Sequence, residues 1–253
     1  MAAVKAAVAT GLVACGFTPS GGGGSSIDAA TDGDGPQVID ARDLDAVPGF
    51  FCDRSNADLR LCLTFQEGGV IDASGSNLTI TATKIGFGPG IVDDAVQVDA
   101  SSDIHVEENA ALDVTTALTM ETFVFVVDVP NPRAGLMDNN GQWGMWLGAN
   151  MRPYCTMGGS TVSGPTIATG QWTHVACVFD NLTYRIFVDG SLFGTVNRQV
   201  PAPTGGVDGM NLGQDNTPMG PNDPLSGALD ELRIWGSVRS PEQIAEAAGR
   251  RGG

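Results

Sequence analysis

Beyond residue 50 the chain is a succession of short apolar runs broken by Gly, Pro, Asn and Asp. Residues 59–65 (LRLCLTF) alternate strictly, and residues 78–83 alternate with Thr, the period of a half-buried strand. Residues 118–129 form a longer run rich in Val, Phe and Thr. Runs at 172–180 and 183–189 flank Asp180-Asn181, which reads as a hairpin turn. A second hairpin signal, Asp189-Gly190, precedes residues 192–196, and 229–235 is the last strong strand. One helix is predicted. Ser240 is its N-cap, Pro241 its first residue and Gln243 the second half of a capping box; it runs to about Ala248 and stops at Gly249. Many short strands with turns between them predict an all-β, two-sheet sandwich with one short C-terminal helix.

In the run 172–179, Trp172, His174, Ala176 and Val178 share one face, and Thr173, Val175, Cys177 and Phe179 the other. Apolar residues on both faces predict a central strand or one covered from outside. His174, flanked by apolar residues, is expected to be structural.

The first 48 residues break this pattern. Lys5, the apolar stretch 6–14 and a small-residue end have the layout of a secretory signal, too short to span a bilayer. Leu12-Val13-Ala14-Cys15 resembles the bacterial lipobox, which implies cleavage of residues 1–14 and a diacylglycerol on Cys15. Residues 15–48 are Gly/Ser-rich and acidic, with six Asp and one Arg, and read as a flexible tether. Residues 50–249 are the expected folded domain.

The net charge is −16. Some of it belongs to the tether, yet the domain still carries 23 acids against 11 bases. Such a chain lacks the basic footprint of nucleic-acid binding. Peripheral attachment to an anionic membrane is disfavoured for the same reason, whereas a covalent lipid removes that objection.

Several stretches together carry a family resemblance. Gly170-Gln171-Trp172-Thr173-His174-Val175-Ala176, followed by Phe187-Val188-Asp189-Gly190, resembles the G-x-W-x-H-V-A … Y-V-D-G signature of LamG-like jelly rolls. Asp72-Ala73-Ser74-Gly75 is similar to the early D-x-S-G turn. Residues 118–124 are similar to the f-T-x-E-x-W-V strand. Residues 227–235, with Ser240-Pro241-Glu242-Gln243-Ile244, are similar to the closing motif. The resemblance covers roughly residues 50–249. It implies the concanavalin A-like lectin/glucanase fold, a scaffold that hosts many functions.

With Cys15 lipidated, four cysteines remain and three pairings are open. Cys52–Cys62 and Cys155–Cys177 are the expected pairs, the second joining two core strands, in an exported protein. The resemblance implies one structural Ca²⁺ held by Asp72 and Asp230, with backbone carbonyls completing the shell. Asp215-Asn216 to Asn222-Asp223 is a second oxygen-rich stretch.

Catalysis is not expected. Laminarinase-type relatives place E-x-D-x-E on one strand; Glu121 stands alone, and adjacent Glu107 and Glu108 face opposite ways. Binding needs aromatics beside polar groups. Trp143 is taken as the aromatic anchor, with Asp138 and Asn139 in the neighbouring turn as the rim. Trp146, three residues on, must face the opposite side, and Tyr154 and Trp235 are further aromatics. The expected function is a non-catalytic, lipid-anchored module of the cell envelope, in the outer membrane, that binds a glycan or a surface protein. The alternatives are a structural envelope protein and an atypical glycoside hydrolase.

Overall fold

The computed structural model of the chain describes residues 52–114, 116–197, 208–215 and 222–249. The expected signal 1–14, the expected lipidation site Cys15 and the expected tether 15–48 lie outside them. The alternating runs pair into two antiparallel sheets, with strands numbered in chain order. The eight-stranded sheet has the spatial order β13 (Ser191–Asn197), β12 (Thr183–Val188), β11 (Trp172–Phe179), β6 (Leu118–Val126), β15 (Gly227–Trp235), β4 (Asp94–Val98) and β3 (Gly86–Pro89), and β1 (Leu59–Leu63) also pairs with β15. The seven-stranded sheet has the order β10 (Ser160–Ser163), β9 (Pro153–Met157), β8 (Trp143–Gly148), β7 (Arg133–Asn139), β14 (Met210–Leu212), β5 (Asp103–Val106) and β2 (Ile80–Thr83). The fold is a jelly-roll sandwich.

Both sheets turn one face inward. Met120, Val124, Val175 and Phe179 of the first sheet and Leu136, Met137, Met145 and Leu147 of the second share one buried core. Burying each such side chain contributes roughly 1.5–3 kcal/mol. Both expected disulfides are present. Cys155–Cys177 joins β9 to β11, and therefore sheet to sheet, with Cα atoms 6.0 Å apart. Cys52–Cys62, with Cα atoms 5.8 Å apart, fastens the start of the described chain to β1.

Four register shifts interrupt the simple alternation among the described strands, and those in β15 and β7 shape the two outer faces. In β15 the register on β6 shifts between Asp230 and Arg233, and Glu231 takes a left-handed φ of 48°. Leu229 and Leu232 therefore both reach the core, and Ile234 follows them. Arg233 and Trp235 are directed to the outer face. In β7 the register on β8 shifts between Gly135 and Met137, so Leu136 and Met137 are both in the core.

The turns form as the residues predict. Asp189 and Gly190 both have positive φ, 46° and 76°, which suits the tight link between β12 and β13. A Cβ on Gly190 would lie 2.9 Å from Ala245 Cα, so glycine also lets the helix sit on this turn. Helix α1 (Pro241–Ala248) has the expected capping box: Ser240 Oγ accepts from the Gln243 N–H, and Gln243 Oε1 accepts from the Ser240 N–H. Its Ile244 packs on Ala176, Val178 and Phe187. That explains why β11 is apolar on both faces.

Strand β6 stops at Val126, short of the expected 129, and Val127 and Val129 are exposed. Its neighbours end there as well, since Gly227 opposes Val126 and Trp172 opposes Phe125. Among the described residues no helix is long and apolar enough to cross a membrane.

Candidate ligand-binding site

The two outer faces differ in chemistry. On the eight-stranded sheet, Glu121 of β6 is fully buried. Its Oε1 accepts from Arg239 and from the Trp235 indole N–H, and lies 3.3 Å from Arg233 Nε. His174 Nε2 lies 3.5 Å from Oε2. Burial by itself would raise the Glu121 carboxyl; Arg233, His174 and Arg239 more than offset it and hold it well below the usual range. His174 stacks edge-on against Phe123, and Arg239 lies over the Trp235 ring. These groups serve one another inside the protein. Glu121 is not open to a substrate, and Trp235 packs rather than binds.

The outer face of the seven-stranded sheet holds a cleft of about 290 Å³. Its lining includes Arg133, Asp138, Asn140, Gln142, Trp146 and Thr156. Alternation in β8 sends Trp143, Met145 and Leu147 into the core and Gly144 and Trp146 outward. Gly144 is the floor. A Cβ there would come within 2.6 Å of Trp146 Nε1 and 3.2 Å of Asp138 Oδ1, so only glycine lets the indole lie across the strand. The indole N–H donates to Thr156 Oγ1 at 3.2 Å. Tyr154 stacks beside it at 6.4 Å with planes 16° apart. Arg133 lies above, its Cζ 4.2 Å from the ring centroid.

Arg133 is held from two places remote in sequence. Its Nη2 donates to Asp215 at 2.7 Å and its Nε to Asp223 at 2.5 Å. Burial works against the guanidinium charge, but Asp223, Tyr154 and Asp215 outweigh it and raise the pKa above the ordinary value. The β7 bulge brings Asp138 onto this face. Arg133 and Gly135 have odd parity and Asp138 even, so an unbroken strand would separate them; the extra residue reunites them. Asn211, opposite Asp138 on β14, lies 2.6 Å from His105 Nδ1 and extends a polar row across the sheet. Asn140 donates to Asp208, and Gln142 donates to Asp113.

Of the expected ligand residues, Asp138 is in the cleft. Trp143 is corrected. It borders the cleft, but it is 1% exposed, belongs to the core cluster, and its indole N–H donates to the Leu112 carbonyl. Asn139 is corrected too: it pairs with Trp143 across the hairpin and is buried against Leu112 and Gln142. Trp146 and Asn140 also line the cleft. Alternation puts the two tryptophans on opposite faces of β8; both are buried, Trp143 in the core and Trp146 at 5% exposure beneath Arg133. Arg133 carried no local signal, since its partners are 82 and 90 residues away.

The expected calcium carboxylates have separate duties. Asp72 accepts from the N–H groups of Cys62, Ser74 and Leu78 and from the Ser74 hydroxyl. Asp230 accepts from the N–H groups of Ile91, Val92 and Glu231. Every one of these oxygens faces donors, whereas a calcium shell gathers oxygens around a cation. The two networks share no partner, so these residues do not fit the ion as they stand. Among the described residues no group of three His, Cys, Asp or Glu side chains is arranged to hold a metal. In the second oxygen-rich stretch, Asp215 and Asp223 are both occupied by Arg133, and residues 216–221 lie outside the described residues.

Several solved structures share this fold. Domain 4 of AbnA, a GH43 extracellular arabinanase from Geobacillus stearothermophilus in complex with arabinotriose, has a TM-score of 0.61 at 20% identity, over 76% of this chain and 98% of that one. The binding domain of Paraclostridial Mosquitocidal Protein 1 gives 0.61 at 13%, over 76% and 52%. The binding domain of Botulinum neurotoxin DC in complex with rat synaptotagmin II gives 0.61 at 14%, over 76% and 51%. The chain spans about half the length of these toxin domains. At such identities the likeness is one of fold. No curated protein matches the sequence. The Laminin_G_3 family model, described as the concanavalin A-like lectin/glucanases superfamily, matches residues 98–245, more than half of the chain, and the protein belongs to that superfamily.

Proposed function

We propose that the protein is a non-catalytic carbohydrate-binding module, exported and held at the bacterial cell envelope by a lipid on Cys15. The cleft on the seven-stranded sheet carries this reading. It combines the edge of Trp146, 5% exposed beneath Arg133 and with Tyr154 stacked beside it, and a polar lining of Asp138, Asn140, Gln142 and Thr156. A small aromatic surface beside many hydrogen-bonding groups suits a sugar, which has apolar ring faces and hydroxyl edges. A small recessed polar cleft favours a glycan over a surface protein, which would need a contact area of about 800 Å² per partner. The AbnA domain, complexed with arabinotriose, lends the same direction. Two disulfides fit an oxidising compartment.

A non-catalytic role is supported by the occupation of the acids. Glu121 is enclosed by Arg233, Arg239 and Trp235, and Asp215 is paired with Arg133. The test is a glycan array followed by titration of the sugars retained. The wild type is expected to bind, and Trp146→Ala to weaken binding at least about tenfold, a loss of about 1.4 kcal/mol. Trp143→Phe is expected to leave affinity within a few-fold of wild type. No retained glycan, or equal affinity in Trp146→Ala, would overturn the reading.

A further inference from the structure

A second cleft, of about 400 Å³, opens between the edge strands β10 and β13. One wall is the segment 165–168 that leaves β10, and the other is the β12–β13 hairpin. Both walls are fixed. The Gly164 N–H donates to the Pro153 carbonyl and the Ile167 N–H to the Met151 carbonyl. The Asp189 N–H donates to the His174 carbonyl, and Asp189 Oδ1 accepts from the His174 N–H. Phe193 lines the cleft and is the extra residue of a β-bulge: Phe187 pairs with Leu192 and Ile186 with Gly194, so Phe193 has no partner on β12. Such bulges re-aim a side chain at a sheet edge. At 56% it is the one exposed aromatic side chain among the described residues. Beyond it, Gly194 lets β13 close on β10, because a Cβ there would lie 3.0 Å from the Ser163 carbonyl oxygen and from Val162 Cγ2. Thr173, 6% exposed, also lines the cleft, and no described residue engages its hydroxyl.

Gln171 and Ser191 add an amide and a hydroxyl to this lining, and Asp189 is the one charge among its described residues. An open ring beside a largely uncharged set of hydrogen-bonding groups matches the apolar face and hydroxyl edges of a sugar. An extended peptide pairing onto the β13 edge is disfavoured, because the bulge interrupts the ladder it would continue. We propose that this is a second sugar-binding cleft, in which a glycan ring stacks on Phe193 and hydrogen-bonds to the Thr173 hydroxyl, with Gln171, Ser191 and Asp189 around it. The inference takes its ligand class from the carbohydrate reading above and stands on residues that the first cleft does not use. Strand β10, four residues long and so roughly 13 Å, lies between Gly159 of the first cleft and Pro165 of the second. The two clefts therefore fill separately.

The experiment titrates the isotope-labelled full chain with neutral trisaccharides of glucose, galactose and arabinose and follows the backbone amide signals by NMR. At least one sugar is expected to shift Thr173, Ser191 and Phe193 together, on a binding curve separate from that of Asn140 and Thr156 in the first cleft. Phe193→Ala is expected to weaken the first group at least about tenfold and to leave the second within a few-fold. Thr173→Val, close to isosteric, is expected to weaken the first group about fivefold. An unchanged melting temperature confirms that each variant is folded. Shifts confined to Asn140 and Thr156, unaltered by Phe193→Ala, would overturn the second cleft and leave the carbohydrate reading standing. Shifts confined to Thr173, Ser191 and Phe193 would support the second cleft and overturn the first as the sugar site. Silence of both groups towards every sugar would overturn both readings.

Discussion

Single residues in this protein owe their chemistry to what surrounds them. Asp230 is the clearest case. It accepts three backbone N–H bonds, which favour its charge, and it is enclosed, which disfavours it. Burial dominates, and its carboxyl is pushed up to about 6. A carboxyl with a raised folded value binds protons more tightly folded than unfolded, so stability falls as pH rises from the ordinary Asp value towards 6. Glu121 acts in the opposite sense: its depressed value contributes stability above the ordinary carboxylate range, and that contribution is lost as pH falls through it. Between pH 4.5 and 6.5 Glu121 stays ionised and Asp230 titrates. Denaturant titrations should show a loss across that window that is about 2 kcal/mol larger in the wild type than in Asp230→Asn. Equal slopes in both proteins would refute the assignment. The same donors around Asp72 and Asp230 set a second expectation: a strong calcium chelator should leave the melting temperature unchanged. A drop of several degrees, restored by calcium, would show an ion the present geometry does not accommodate.

Among the elements, β15 and α1 cover part of one outer face of the sandwich. The β15 bulge directs Arg233 and Trp235 outward onto Glu121, and α1 covers Ala176, Val178 and Phe187 beside them. These groups fill the part of this face over β6, β11 and β15, and the cleft beside Trp146 lies on the opposite sheet. The helix has eight residues, too short to hold itself in water, so its cap and its packing must hold it. Ser240→Ala removes the hydroxyl that accepts from the Gln243 N–H and should cost about 1 kcal/mol, read as a shift in the denaturation midpoint. Sugar affinity at the cleft beside Trp146 should be unaffected, because that cleft lies on the other sheet. A coupled loss of binding would contradict the separation of the two faces.

For the whole molecule, the sheets meet through one apolar core and one covalent link. Cys155–Cys177 closes a 22-residue separation and ties β9, whose Tyr154 and Thr156 border the binding face, to β11. Replacing both cysteines with serine should cost roughly 2–4 kcal/mol, measured by urea titration against the wild type. A variant as stable as the wild type would mean that the core alone holds the sheets together.

Much of this architecture was legible in the chain itself. Alternation, the Asp-Gly and Asp-Asn turns and the Ser-Pro-Glu-Gln cap are local signals, and they specified the sandwich class, the β11–β12–β13 hairpins and the helix bounds. The two cysteine pairs were expected once Cys15 was set aside, although the β9 strand that carries Cys155 is not among the predicted runs. Alternation also separated Trp143 from Trp146. It is a relative code, however, and says which residues share a face without saying which face is inside. Burial against the other sheet placed Trp143 inward and Trp146 outward. The bulges in β7 and β15 each add one residue, which inverts the code beyond them; that is how Asp138 joins Arg133 and how Arg233 and Trp235 meet Glu121. The ion pairs of Arg133 span 82 and 90 residues, and no sequence period reaches across such a gap. The sequence alone determined the elements and their local turns, because those depend on neighbours a few residues apart. Only the tertiary structure decided which side chains line the cleft, because that depends on the packing of distant segments.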